Sequence, residues 1–173
     1  MKVQDLTRMA LLVAMNCVSA YIIIPLPFSL SPLALQTLVV NIVALLLPVK
    51  QVFWTMSVYV LLGLAGAPVF TGGTAGPGKL FGPTGGYVWA FVLAAVLIAF
   101  CRGQGCSFRR WALVCICVGM PAIYIPGLLQ LMFLTGLGLR EALVIGVLPF
   151  LVPDVLKCLA AAYLAGKIQK SLH

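Results

Sequence analysis

The sequence predicts an all-α integral membrane protein with six helical spans and both termini in the cytoplasm, on three observations. Charge is scarce: of 173 residues, 63% are apolar and only 8% are charged, against about 25% in a soluble domain. Apolar runs long enough to cross a bilayer as helix recur along the chain. The few basic residues are distributed unequally between the connecting loops. With a mean hydropathy of +1.17, a soluble globular domain, a disordered chain and a disulfide-rich secreted module are excluded. The length accommodates one domain over residues 1–173.

The first span is expected over Leu6 to Ile24, stopped by Pro25-Leu26-Pro27, and reads as a retained span rather than a cleaved signal peptide. The second runs from about Leu33, after Ser31-Pro32, to Val49 before Lys50-Gln51. The third covers about Val52 to Gly66 and can extend through Ala67-Pro68-Val69-Phe70. A stretch from Thr71 to Gly86 follows, dense in glycine and carrying Pro77 and Pro83, through which no helix is expected to run. The fourth span is expected over about Gly85 to Cys101 and the fifth over about Trp111 to Thr135.

The last apolar run, Ala142 to Gly166, contains Pro149 and Pro153. Proline suits a first helical turn and disrupts an interior one. A short piece near 142–148, a break over Pro149 to Pro153 and a helix restarting at about Pro153 are therefore expected. From Pro153 to Ser171 such a helix is about 28 Å long, close to the thickness of a hydrocarbon core.

Six spans put Lys2, Arg8, Lys50, Arg102, Arg109, Arg110, Lys167 and Lys170 on one side and only Lys79 and Arg140 on the other. The basic side is the cytoplasmic one. The net charge of +8 therefore reports orientation in a plasma membrane, and no basic stripe for nucleic acid is present. The six cysteines offer no C-x-x-C; Cys17, Cys115, Cys117 and Cys158 lie in apolar runs, where cysteine acts as a small hydrophobe. The single histidine is the last residue, His173, so neither a metal nor another cofactor is expected.

Asp154 and Lys157 are the acidic and basic residues inside a span, three apart and so on one helix face. Ionised groups in a span face a cavity or each other. The pair is either a packing salt bridge or a polar ligand site, and its place after the double-proline break, with Asp154 in the first turn of the restarted helix, favours a site. Gln36, about one turn from the outer end of its span, reaches the same cavity; Asn41 is deeper and reads as structural. Tyr124 and Gln130 are weaker candidates of the same kind. Tyr87, at the start of the fourth span, is either an interfacial aromatic or a ligand contact. Gly73 to Lys79 matches G-x-x-x-x-G-K, but Leu80 stands where a phosphate-binding loop needs Ser or Thr. Ala10 and Ala14 form a small-xxx-small pair, which serves either packing within the bundle or a partner helix. No H-E-x-x-H or G-x-S-x-G is present, so catalysis is not expected.

Three stretches in order resemble one family. They are Leu35-Gln36-Thr37-Leu38, then Leu61 to Gly73 continuing to Gly82-Pro83-Thr84-Gly85-Gly86-Tyr87, and finally Gly146 to Phe150 followed by Asp154 and Lys157. Together they are similar to BioY-type biotin transporters, the substrate-binding S components of energy-coupling factor (ECF) transporters. The resemblance covers nearly the whole chain and implies a six-helix S-component fold with a biotin site near the outer face. It implies ligand contacts from Thr74 in the loop, Tyr87, and Asp154 with Lys157, and Gly73, Gly86 and Gln36 are expected to bind ligand beside them. It further implies docking through Ala10 and Ala14 onto a membrane coupling protein driven by two ATPase subunits. In this chain Thr74 stands where some relatives have an amide, and Val88 where some have a basic residue. The ligand carboxylate then depends on another group, and Lys79 is either that group or a solvated loop lysine. The rival readings are an S component for another small vitamin, a membrane enzyme using Asp154, and a structural assembly subunit.

Overall fold

The computed structural model describes residues 3–24, 33–105 and 107–171. The stops expected at Pro25-Leu26-Pro27 and Ser31-Pro32 lie outside them, as do Lys2, Cys106 and His173. The architecture is helical, with one short two-stranded ribbon.

Helix α1 runs Val3–Ser19 and buries Met9, Leu12, Val13 and Asn16 on one face. It ends earlier than the apolar run does. Ile23–Ile24 forms β1, which pairs antiparallel with β2, Leu33–Ala34. Both isoleucines are β-branched and suit an extended conformation. The apolar stretch from Leu6 to Ile24 is therefore a helix plus a strand, and the second run likewise spends Leu33 and Ala34 on the ribbon before α2, Gln36–Leu46.

Helix α2 stops at Leu46 because Leu47 precedes a proline and takes the extended conformation that proline imposes on its predecessor. Pro48 then caps α3, Val49–Leu64, so Lys50 and Gln51 fall in its first turn rather than in a connecting loop. Helix α3 does not continue into Ala67-Pro68-Val69-Phe70. The chain turns there and Phe70 folds back, fully buried, with its ring edge-on to Tyr59 at 5.8 Å.

The glycine-rich segment holds one helical turn after all. Gly76, at φ +84°, makes a left-handed entry, and Pro77 opens α4, Pro77–Leu80. The loop is tied to the helix ends by backbone hydrogen bonds from Gly72 to Ala20 (2.9 Å) and from Gly76 to Gly63 (2.8 Å). Helix α5 then runs Gly85–Cys101, as its apolar run indicates.

The fifth run is one continuous helical segment of 28 residues, Phe108–Thr135. It comprises α6 (Phe108–Val114), a π-helical turn (Cys115–Gly119) and α7 (Met120–Thr135). Pro121 has no N–H to return to Cys117, and the wider turn just before it, closed from Met120 N to Cys115 O, absorbs that missing bond.

The final run breaks at a different place from the one its prolines suggest. Helix α8 is Leu139–Gly146, the break is at Val147, and α9 runs uninterrupted from Leu148 to Ser171. Pro149 occupies the first turn of α9, where no donor is required, and Pro153 is carried inside the helix. Asp154 consequently lies in the second turn, beyond the first-turn position that would draw on the helix dipole.

The core is a shared apolar centre. Helix α5 packs extensively on α7, and α2 on α9. The α5–α7 crossing is close because a Cβ at Gly86 would lie 2.5 Å from the Pro126 carbonyl oxygen, and Gly127 leaves room for the Tyr87 ring. Small residues serve α9 in the same way, with Ala161, Ala162 and Ala165 fully buried. The helices Phe108–Thr135 and Leu148–Ser171 are long and apolar enough to cross a membrane; α2, α3 and α5 are shorter apolar helices. The five described cysteines are free.

Candidate functional site

The site is built around the face of α9 that carries Asp154 and Lys157, each only 7% exposed. Burying two charges in an apolar bundle is costly unless they are paired and their remaining valences are filled. Here they are. Lys157 Nζ donates to Asp154 Oδ1 at 2.9 Å and to the Ala34 carbonyl at 2.7 Å. Thr37 Oγ1 donates to Asp154 Oδ1 at 3.2 Å, and Tyr124 OH donates to Oδ2 at 2.8 Å. Four elements thus meet at one carboxylate and its lysine: α9, α2, α7 and the ribbon strand β2. Among the described residues, valences remain free. An ammonium has three donors, of which Lys157 uses two; Oδ2 of Asp154 accepts one bond.

These groups lie at the wall of a cavity between α2, α5, α7 and α9. Sites for small molecules combine apolar walls with a few placed polar groups. The apolar walls are Val88 and Phe91 of α5, Ile123 and Leu131 of α7, and Phe150 of α9. Lys79 of α4, Thr71 and Thr84 line it as well. A smaller adjoining space continues past Asp154 toward Asn41, Met120 and Cys158.

Gln36 lines the cavity, yet its amide is engaged within the fold. Thr71 Oγ1 donates to its Oε1 at 2.6 Å, and its Nε2 donates to Tyr59 OH and to the Val69 carbonyl (3.3 Å). The Tyr59 hydroxyl in turn donates to Val69 O at 3.1 Å. This network ties the segment after α3 to α2 and sets the cavity wall.

Tyr87 also lines the cavity, with its hydroxyl donating to the Gly146 carbonyl at 2.9 Å. That bond fastens the last turn of α8 to α5 and holds the break at Val147 in place. Gln130 does the equivalent for α4, donating to the carbonyls of Leu80 (3.0 Å) and Gly82 (2.7 Å).

The other loop candidates stand apart. Thr74 is exposed, donates to the Thr71 carbonyl at 3.0 Å and is not part of the cavity wall. Gly73, at φ +73°, packs against the Tyr21 ring, and Gly86 backs onto α7. Ala10 and Ala14 lie on the exposed face of α1 together with Leu6 and Leu11, so they are not part of the internal packing.

Sequence reasoning passed over Thr37, Thr71 and Thr84. Thr37 adjoins Gln36 in the second apolar run and carried a signal, a hydroxyl inside a span. Thr71 and Thr84 carried none, because the fold of the glycine-rich segment decides where they point. Lys79 is half-buried, and that burial pushes its amine below the ordinary lysine range.

The fold and this site define a helical membrane protein with an apolar cavity over a buried, hydrogen-bonded ion pair. The BioY family model matches residues 1–173, and the chain belongs to the BioY family. Biotin transporter BioY2 of Lactococcus lactis subsp. cremoris is 37% identical over 91% of this chain and 86% of that protein. The probable biotin transporter BioY of Pyrococcus horikoshii is 34% identical over 98% of each. Among solved structures, the S-component for biotin from an ECF-type ABC transporter superposes with a TM-score of 0.88 at 26% identity, covering 97% of this chain and 92% of that one.

Proposed function

We propose that this protein is a biotin uptake protein of the plasma membrane, a transporter component rather than an enzyme. It binds biotin in the cavity above Asp154 and Lys157 and carries it across the membrane as the S component of an ECF transporter. The observation that carries this reading is the paired Asp154 and Lys157 with free valences at the wall of an apolar cavity.

The chemistry matches. The ureido ring of biotin offers two N–H donors and one carbonyl acceptor. Asp154 Oδ2 has a lone pair for an N–H, and the third Lys157 proton suits the carbonyl. Thr37 and Tyr124 hold the carboxylate in place by donating to it. The thiophane ring and methylene chain suit the walls formed by Phe91, Ile123 and Phe150. Tyr87 and Gln36 shape that wall through their bonds to Gly146 and Thr71, while Gly73, Thr74 and Gly86 support the loop and the α5–α7 contact.

In the same proposal the chain forms one domain of six spans: α1, α2, α3, α5, the segment Phe108–Thr135, and α9. Both termini are cytoplasmic and the loop bearing α4 faces outward, which the loop distribution of Lys and Arg supports. The exposed Ala10 and Ala14 form the flat surface through which α1 meets the membrane coupling protein, with ATPase subunits supplying energy.

A thermal-shift panel of vitamins on the purified protein tests the substrate. Biotin alone is expected to raise the unfolding temperature, because a ligand that binds only the native state stabilises it. A shift with a different vitamin and none with biotin contradicts the assignment.

A further inference from the structure

The charges around the cavity do not cancel. Three charged side chains line it: Lys79, Asp154 and Lys157. Asp154 and Lys157 form an ion pair at 2.9 Å, which leaves the Lys79 amine and a net charge of +1 on the wall. Among the described residues Lys79 pairs with no carboxylate, and neither its amine nor the Thr84 hydroxyl has a hydrogen-bond partner.

Lys79 is also placed rather than loose. It sits in α4, whose next residue, Leu80, is fully buried. Gln130 holds the carbonyls of Leu80 and Gly82 from α7, and Gly85 lets α5 start directly against the Leu80 carbonyl, where a Cβ would sit 1.8 Å away. Thr84, on the cavity wall, is the residue that opens α5 and makes no side-chain cap bond.

An amine withdrawn from water beside an apolar wall, with no counter-ion, favours an anionic partner. We propose that Lys79, with Thr84 on the same cavity wall, forms an anion subsite that takes the carboxylate of the ligand and makes the cavity selective for a monoanion. Resting on the biotin reading above, this means that the free acid is bound and that tail-neutral forms, esters or amides of the same ring system, are discriminated against. Lys79 is then a specificity-determining residue that the Asp154 site does not replace.

The test is calorimetric titration of the purified protein with biotin and with biotin methyl ester, which keeps the rings and loses the charge. Wild type is expected to prefer biotin by about tenfold or more, as for a hydrogen bond to a charged group. Lys79→Met is expected to lose that preference while binding the ester as wild type does, and Lys79→Arg to retain it. Equal affinity of wild type for acid and ester overturns the subsite without needing any variant, and so does a Lys79→Met protein that still prefers the acid. In either result biotin still binds, and the assignment of substrate stands. Absence of binding by both compounds to wild type overturns the biotin reading and this inference with it.

Discussion

Three donors from three other positions converge on the Asp154 carboxylate, so the proposed site is expected to depend on it. Asp154→Asn keeps the size and removes the charge that Lys157 needs. Biotin affinity is expected to fall by about 1–3 kcal/mol, measured by titration, as for the loss of a charged hydrogen bond. Unchanged affinity would remove Asp154 from the site. Tyr124→Phe deletes a single donor to Oδ2 and is expected to cost less, about 0.5–1.5 kcal/mol in the same measurement. Asp154 and Lys157 were legible in sequence because charge inside a span is costly and therefore conspicuous. Tyr124 and Thr37 were only faintly legible, each as a hydroxyl inside an apolar run. Their place in the site comes from a shared acceptor, 30 residues from Tyr124 and 117 from Thr37, which no local pattern reports.

At the scale of elements, hydropathy located the helical runs well and their ends poorly. Gly85 to Cys101 was read correctly because a glycine-rich segment and a basic loop bound it on both sides. The ends at Ile24 and Leu33 were missed because an apolar strand and an apolar helix look alike over two residues. Proline's local preference puts the last break at Pro149 to Pro153. The chain breaks instead at Val147, where Tyr87 holds the Gly146 carbonyl, and both prolines are absorbed into α9. A contact between α5 and α8 thus decides a boundary that local propensity does not. The α5–α7 crossing gives a test at this scale. Gly86→Ala places a methyl 2.5 Å from the Pro126 carbonyl oxygen, and the helices must separate. The expected cost is about 1–3 kcal/mol, seen as a lower unfolding temperature, with weaker biotin binding because Tyr87 shifts with α5. An unchanged unfolding temperature would mean that this crossing is not tight.

For the whole molecule, scarcity of charge identified a membrane protein, and the Lys and Arg distribution proposed its orientation. Labelling of intact cells with an impermeant thiol reagent checks the latter. In a cysteine-free background, Arg140→Cys is expected to react from outside and a cysteine beside Lys50 is not; the reverse pattern would invert the topology. Ala10→Trp adds a large ring to the exposed face of α1. It is expected to abolish co-purification with a coupling protein while biotin binding persists, and a complex that still forms would place the docking surface elsewhere. The central claim is that the cavity over Asp154 and Lys157 binds biotin. Calorimetric titration of the purified wild-type protein with biotin tests that claim most directly. A saturable exothermic or endothermic isotherm with micromolar or tighter affinity, weakened in Asp154→Asn, is the predicted result. No saturable heat from wild type in the micromolar range would contradict it.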